Sequence, residues 1–232
     1  MPIRIEDPFR DPTLRLNEDV NPFLKQIREG LADGSLPVLY GPRLKPIKGK
    51  WKGEFERTMD AAPKDLILEI GSHMGEVLKN MALAHKNTAF VGMDITFKRV
   101  VSLAEKAKSG GIQNVRSLLC NAKALDLIFD ENELDGLVIF FPDPWARKKR
   151  QQKNRLLNKE FLAQAKKVIK PGGFFWFKTD HKPYFDEVFP EAEAIFSRDI
   201  EPQGLPGEIY TSRFERHFSE QGLPKYEVCW RV

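Results

Sequence analysis

From residue 65 onward the chain alternates short apolar runs with amphipathic stretches. The runs "LILEIG", "AFVGMDI", "NVRSLLC" and "LDGLVIFF" are dominated by branched and aromatic residues, the composition of β-strands. Between them, "GEVLKNMALAHK", "FKRVVSLAEKAKSGG" and "AKALDLIFD" repeat apolar residues at helical spacing. This β-α-β-α-β-α-β order predicts a parallel sheet with helices on both faces. The strand segments are continuously apolar rather than alternating, as burial on both faces requires. Further on, the pattern predicts a helix over "NKEFLAQAKKVI", a Pro-Gly-Gly turn, a strand over "GGFFWFKT", a helix over "KPYFDEVFPEAEAIF" and a last strand in "KYEVCWRV".

Residues 1–60 have a different character, rich in Pro, Gly and charge. One short helix is expected around "NPFLKQIREGL", with Asn21 as its cap and Pro22 at the first helical position. The expected organisation is therefore a basic, Pro/Gly-rich extension over 1–60 with one short helix, and a single folded domain over 61–232. No internal repeat or low-complexity segment interrupts it.

With 232 residues, 41% of them apolar and 30% charged, the chain has the balance of a globular protein and not of a disordered one. No apolar run approaches the roughly 18 to 20 residues of a membrane span, and "MPIRIEDPFRDP" lacks the apolar core of a secretory signal. The cytoplasm is the expected location, without membrane contact. Cys120 and Cys229 each lie in an apolar segment, away from any cysteine or histidine at ligand spacing. They read as core residues, and no metal is expected.

The net charge of +4 conceals an uneven distribution. Arg147, Lys148, Lys149, Arg150, Lys153 and Arg155 put six positive charges within nine residues, with no acid among them. Arg43, Lys45, Lys48, Lys50 and Lys52 form a second acid-free cluster, and the rest of the chain is acidic on balance. Local positive charge of this kind is the electrostatic footprint of a polyanion-binding face. The second cluster reads as a further phosphate contact.

Ligands of such sheets bind beyond the carboxyl ends of the strands. "LEIGSHMGE" ends the first of these strands and opens the first helix, with Gly71 and Gly75 allowing a tight turn and close ligand approach. The second strand ends in Asp94, where a carboxylate can accept from both hydroxyls of a ribose. The third offers Asn121 near an adenine edge. Gly71, Gly75, Asp94 and Asn121 thus describe an adenosine site. The turn lacks the third glycine of a dinucleotide fingerprint, and Glu69 would repel a phosphate while suiting a cationic methionyl group. S-adenosylmethionine is the cofactor that fits.

The fourth strand runs into "FFPDPWARKKRQQKNRLL". Prolines on each side restrict Asp143, Trp145 offers a flat surface for a base, and the following cations can neutralise phosphates. This block, with "LEIG…MG" upstream and "FKTD" and "YTSRFERHFSEQGLP" downstream, resembles the bacterial tRNA (guanine-N7)-methyltransferases over roughly residues 65 to 232. The resemblance implies a Rossmann-like, seven-stranded class I methyltransferase sheet, mostly parallel with a C-terminal antiparallel strand. It implies methyl-donor contacts at Glu69, Asp94, Asn121 and Asp143, the last also catalytic. It implies target-nucleotide contacts at Arg147, Asp180, Ser212, Arg213, Phe214 and Glu215, and RNA contacts along Lys148, Lys149, Arg150, Lys153 and Arg155. It implies tRNA as the partner, methylated on a variable-loop guanine to give 7-methylguanosine, and the expected enzyme is a monomer or homodimer.

The chain departs from the family pattern at three places. Arg147 stands where a lysine is usual. His73 replaces the middle glycine of the cofactor turn. The family's Thr-x-x-Glu becomes Ser212 to Glu215, or Thr211 with one extra residue. Guanine N7 carries a free lone pair, so methylation asks for no general base; alignment and electrostatic stabilisation carry the reaction. Two other readings remain open at this level: an adenine-amino methyltransferase, and an RNA-binding module whose cofactor turn His73 has disabled.

Overall fold

The structure, a computed structural model, describes residues 7–14, 16–19, 21–147, 149–199 and 211–232. Among them eight strands form one sheet: β1 (Val38–Tyr40), β2 (Asp65–Ile70), β3 (Thr88–Asp94), β4 (Val115–Leu119), β5 (Leu134–Phe140), β6 (Ile169–Thr179), β7 (Ser197–Asp199) and β8 (Tyr226–Arg231). Their order is β1-β4-β3-β2-β5-β6-β8-β7. Every pairing is parallel except those of β8, which runs against both β6 and β7. The parallel sheet with an antiparallel C-terminal strand matches the expectation. Two strands, β1 and β7, come from segments whose sequence gave no strand signal, and the Pro-Gly-Gly segment expected as a turn lies inside β6.

Alternation along the strands builds two cores. Leu66, Leu68 and Ile70 of β2 enter the larger cluster, whereas Ile67 between them enters the smaller one. The larger cluster is covered by α2 (Trp51–Glu56), α5 (Leu125–Ile128), α6 (Lys159–Val168) and α7 (Lys182–Glu193). The opposite face carries α3 (Glu76–Ala84) and α4 (Phe97–Ser109), with α1 (Pro22–Ala32) packed against α4. The cap of α1 is Asn21, whose side chain accepts from Phe23 N–H, and Pro22 starts the helix. A last helix, α8 (Arg213–Glu220), precedes β8. Both cysteines are buried, and burial pushes the Cys120 thiol up to about 12. Among the described residues no helix is long and apolar enough to cross a membrane.

The segment before residue 60 is tied into this core by specific contacts. Trp51 is fully buried, stacks on Phe129 at 4.9 Å and donates its indole N–H to Ile128 O at 3.1 Å. Glu54 receives Arg116 of β4, whose guanidinium also lies 4.6 Å from the Phe55 ring centroid. Lys52 reaches Asp135 at 3.1 Å, beside Lys170. Asp135 opens β5, so these charges lie at the amino edge of the sheet. Burial opposes ionisation of Asp135, but hydrogen bonds from Lys170, Leu66 N–H and Lys52 outweigh it and hold the carboxyl below its usual value. Lys48 is likewise used internally, donating to Asp126 O at 2.8 Å. The second basic cluster, expected as a phosphate contact, therefore spends Lys48 and Lys52 on bracing the chain to itself.

Trp51→Ala removes a fully buried ring and its hydrogen bond. It is expected to lower the unfolding free energy by about 3–5 kcal/mol, measured by urea denaturation; a loss within experimental error would mean that this segment is not part of the core.

Candidate active site

Strand order reverses between β2 and β5, and the carboxyl ends of these two adjacent strands carry the candidate chemistry. Beyond β2 the chain turns through residues 71–75 into α3. Gly71 and Gly75 adopt left-handed backbone (φ 78° and 74°), and so does His73 (φ 49°), at a cost of roughly 1–2 kcal/mol for a residue with a Cβ. Gly71 has open space where a Cβ would stand. At Gly75 a Cβ would lie 2.6 Å from Leu103 Cδ1 and 3.0 Å from its Cα, so this glycine serves the packing of the turn on α4.

The helix α4 fastens the strained turn. Ser102 and Lys106 both donate to the Met74 carbonyl, and Arg99 reaches Asp94 Oδ2 at 3.4 Å. Residues 99, 102 and 106 share one helical face. These three side chains, and Ser72, were not found from the sequence, because α4 carries other polar residues, Lys98, Glu105 and Lys108, that nothing local distinguishes from them.

Glu69 and Asp94 are buried beside this turn, each 4% exposed. Asp94 Oδ1 accepts from Thr96 N–H at 2.9 Å. Glu69 Oε2 and Ser72 Oγ are buried with no hydrogen-bond partner among the described residues. Desolvation first, and the nearby Asp94 second, raise the Glu69 carboxyl to about 8. An acid held in this condition is prepared for a ligand that brings positive charge and donors. Asn121, just past β4, accepts from Lys123 N–H at 3.0 Å and caps a short 3₁₀ turn over Ala122–Ala124.

Beyond β5 the chain forms the loop that holds Asp143. Phe141 and Trp145, on either side, both have left-handed backbone (φ 51° and 47°), a concentration of strain typical of functional loops. Asp143 is exposed and accepts from Trp145 N–H at 2.9 Å, which closes the turn. Phe141 N–H is bonded to Lys178 O of β6 at 2.8 Å. Arg155 supports the loop from behind: it donates to Pro144 O at 2.8 Å, pairs with Glu187 and lies 4.8 Å from the Tyr184 ring centroid. It is only 3% exposed, so its guanidinium faces inward and not toward the RNA contacts expected of it. Arg147, Arg150 and Lys153 are exposed. Lys148 lies outside the described residues, as do the side chains of Lys149 and Arg213.

Asp180 follows the end of β6. The cap of α7 is His181, whose Nδ1 accepts from Tyr184 N–H at 3.1 Å, so the Asp180 carboxylate does not serve as the cap. At α8, Ser212 Oγ accepts from Glu215 N–H at 2.9 Å, the first half of a capping box. The Glu215 carboxylate turns inward, 1% exposed, to Lys178 at 3.4 Å and Lys225 at 2.9 Å. Phe214 is 47% exposed and meets Phe141 edge-on at 5.4 Å between centroids. The carboxyl edge thus gathers Glu69, Asp94, Asn121, Asp143, Asp180 and Phe214. Among the described residues no three His, Cys, Asp or Glu side chains are grouped to hold a metal.

The raised Glu69 carboxyl has a consequence for stability. The folded protein keeps this proton up to about pH 8, whereas the unfolded chain releases it near 4.5. The associated stability is complete below the unfolded value and is lost as pH rises through the folded one. Glu69→Gln is therefore expected to stabilise the unliganded protein, by at most about 1.4 kcal/mol per pH unit between the two values. Urea unfolding at about pH 5 and about pH 8 measures this; equal effects at both would refute the assignment.

A family model described as a putative methyltransferase matches residues 63–228. A tRNA (guanine-N(7)-)-methyltransferase of Leptospira interrogans is 35% identical over 165 residues, which are 69% of this chain and 76% of that protein. That of Bacillus licheniformis is 30% identical over 210 residues, 87% of this chain and 94% of its own. Among solved structures, the 16S rRNA methyltransferase KamB has the same fold, with a TM-score of 0.57 at 17% identity, covering 78% of this chain and 93% of that one. Identity at this level over most of both chains, with a family-model match spanning residues 63–228, leaves one conclusion: the chain belongs to the tRNA (guanine-N(7)-)-methyltransferase family.

Proposed function

We propose that the protein transfers the methyl group of S-adenosylmethionine to N7 of a guanine in the variable loop of tRNA, in the cytoplasm. The observation that carries this reading is the adjacency of Asp143 and Asp180. They follow the neighbouring strands β5 and β6, on the edge where Glu69 and Asp94 close the glycine turn.

The residues present fit the cofactor. The unpartnered Glu69 Oε2 and Ser72 Oγ call for hydrogen-bond partners, and the space over Gly71 leaves room for a close approach. Asp94 would take the ribose hydroxyls and Asn121 the adenine edge, while Glu69 faces the methionyl end. When bound, S-adenosylmethionine supplies an electrophilic methyl group on a sulfonium.

The rest of the chemistry falls to this chain's side chains. Guanine N7 attacks through a lone pair, so no residue has to remove a proton. The purine gains positive charge as the bond forms, and Asp143 and Asp180 stabilise it electrostatically. A carboxylate here also accepts from guanine N1–H and its exocyclic amine, a pattern adenine lacks. Arg147, Arg150 and Lys153 neutralise the phosphates that hold the target against this edge.

Asp143→Asn is expected to lower methyl transfer by about 10²–10³-fold with the melting temperature unchanged. Incubation with unmodified tRNA and labelled methyl donor, followed by nucleoside analysis, reads both rate and product; full activity in the variant would remove Asp143 from the mechanism. Replacing Arg150 and Lys153 together by Gln should flatten the dependence of log affinity on log salt by about 1 to 2. Arg155→Gln should leave that slope unchanged and reduce stability instead, and a slope change there would return Arg155 to the RNA face.

A further inference from the structure

Helix α8 brings Phe214 to the candidate active edge, and a buried charge pair joins that helix to β6. Lys178 of β6 is 3% exposed, and Glu215 in the first turn of α8 is 1% exposed. The ammonium lies 3.4 Å from both carboxylate oxygens of Glu215. It also lies over the rings of Phe140 and Trp176, 4.6 and 4.8 Å from their centroids. Lys225 closes Glu215 from the solvent side at 2.9 Å. Glu215 is therefore engaged by two ammonium groups.

Alternation along the strands fixes the direction of this pair. Ile67, Val138, Phe140 and Trp176 belong to one core cluster, so Glu69, two residues beyond Ile67, and Lys178, two beyond Trp176, point to that same face. On this face Glu69 and Phe140 lie at the ends of adjacent strands, and Lys178 borders them on the next. The ion pair docks α8 at that border, with Phe214 against Phe141 and Phe218 behind it at 4.3 Å.

We propose that Lys178 is a positioning residue for methyl transfer: its ion pair with Glu215 seats the first turn of α8, so that Phe214 and Phe141 form an aromatic wall for the target guanine beside Asp143 and Asp180. Glu215, expected from its motif to touch the nucleotide, acts instead through Lys178. Lys178 also meets Glu227 at 3.6 Å, as Glu215 meets Lys225; removing one partner strips the other of its buried counter-charge and leaves it only the outer one, whereas replacing both partners by apolar side chains of similar volume is often tolerated. The proposal rests on the guanine-N7 reading, and the same assay separates the two.

The test compares wild type, Lys178→Met, Glu215→Met and the double variant, with unmodified tRNA and labelled donor at a temperature where all four are folded by circular dichroism. Each single variant is expected to lose roughly 10- to 100-fold in kcat/KM for tRNA, with the affinity for the methyl donor, measured by calorimetry, unchanged. The double variant is expected to recover most of that loss, because α8 can seat again on an apolar contact. A double variant no better than Glu215→Met would overturn the proposal and return Glu215 to direct contact with the base. Single variants as active as wild type would overturn it too. Absence of 7-methylguanosine in the wild-type product would instead sink the functional reading.

Discussion

In a parallel sheet wound in two directions, the connections from the two central strands leave on opposite sides, and a crevice opens between their carboxyl ends. Here those strands are β2 and β5. Everything chemical in this protein depends on that divergence. It puts the glycine turn after β2 and the Asp143 loop after β5 next to each other, although some 70 residues of chain separate them. The next strand, β6, adds Asp180 to the same edge, and its neighbour in the ladder is the antiparallel β8. A ligand in this crevice meets one set of side chains from β2–β4 and another from β5–β6, which suits a reaction that joins a cofactor to a second substrate.

The charges of the protein divide according to whether they are satisfied within the fold. Asp135, Arg116, Arg155 and the Lys178–Glu215 pair are buried or nearly so and find opposite charges nearby. They hold the amino edge, the α2 segment, the Asp143 loop and α8. Glu69 differs: it is as buried as these, its second oxygen has no hydrogen-bond partner among the described residues, and its carboxyl is displaced to about 8. Structural charges pair, and a buried acid held beside another acid makes Glu69 a candidate for binding a ligand. The contrast separates the candidate cofactor edge from the braces without reference to any relative.

Backbone strain follows the same boundary. Three of the four non-glycine residues with positive φ among the described residues, His73, Phe141 and Trp145, lie in the two loops that face the crevice. His73 occupies a place where glycine would be unstrained, and the turn is held by Ser102 and Lys106 on the Met74 carbonyl. The Asp143 loop is held by Arg155 and by the bond from Phe141 N–H to β6. Strain of this sort persists only where surrounding contacts over-determine the geometry.

The order of strands and helices from residue 65 to the helix over Lys182–Glu193, and the last strand, were legible in the sequence, because hydrophobic periodicity is a local property and buried parallel strands are apolar throughout; the short β7 and the polar α8 were not. The positions of Glu69, Asp94, Asn121, Asp143 and Asp180 at strand ends followed from it, since a residue at the end of a strand lies at the edge of the sheet whatever its neighbours do. Strand β1 gave no such signal: three residues at an edge, Val38–Tyr40, are too few to show a period. What a charge does is equally invisible to local pattern. Arg155 and Lys153 belong to the same basic run, yet one is buried against Glu187 and Tyr184 and the other is exposed. Glu215 looked like a ligand for the nucleotide, and its partner Lys178 stands 37 residues away. Sequence determined that the strand-end carboxylates reach the candidate active edge. Only tertiary structure decided which of them face outward, because the cost of burying a charge is set by partners that come from distant parts of the chain.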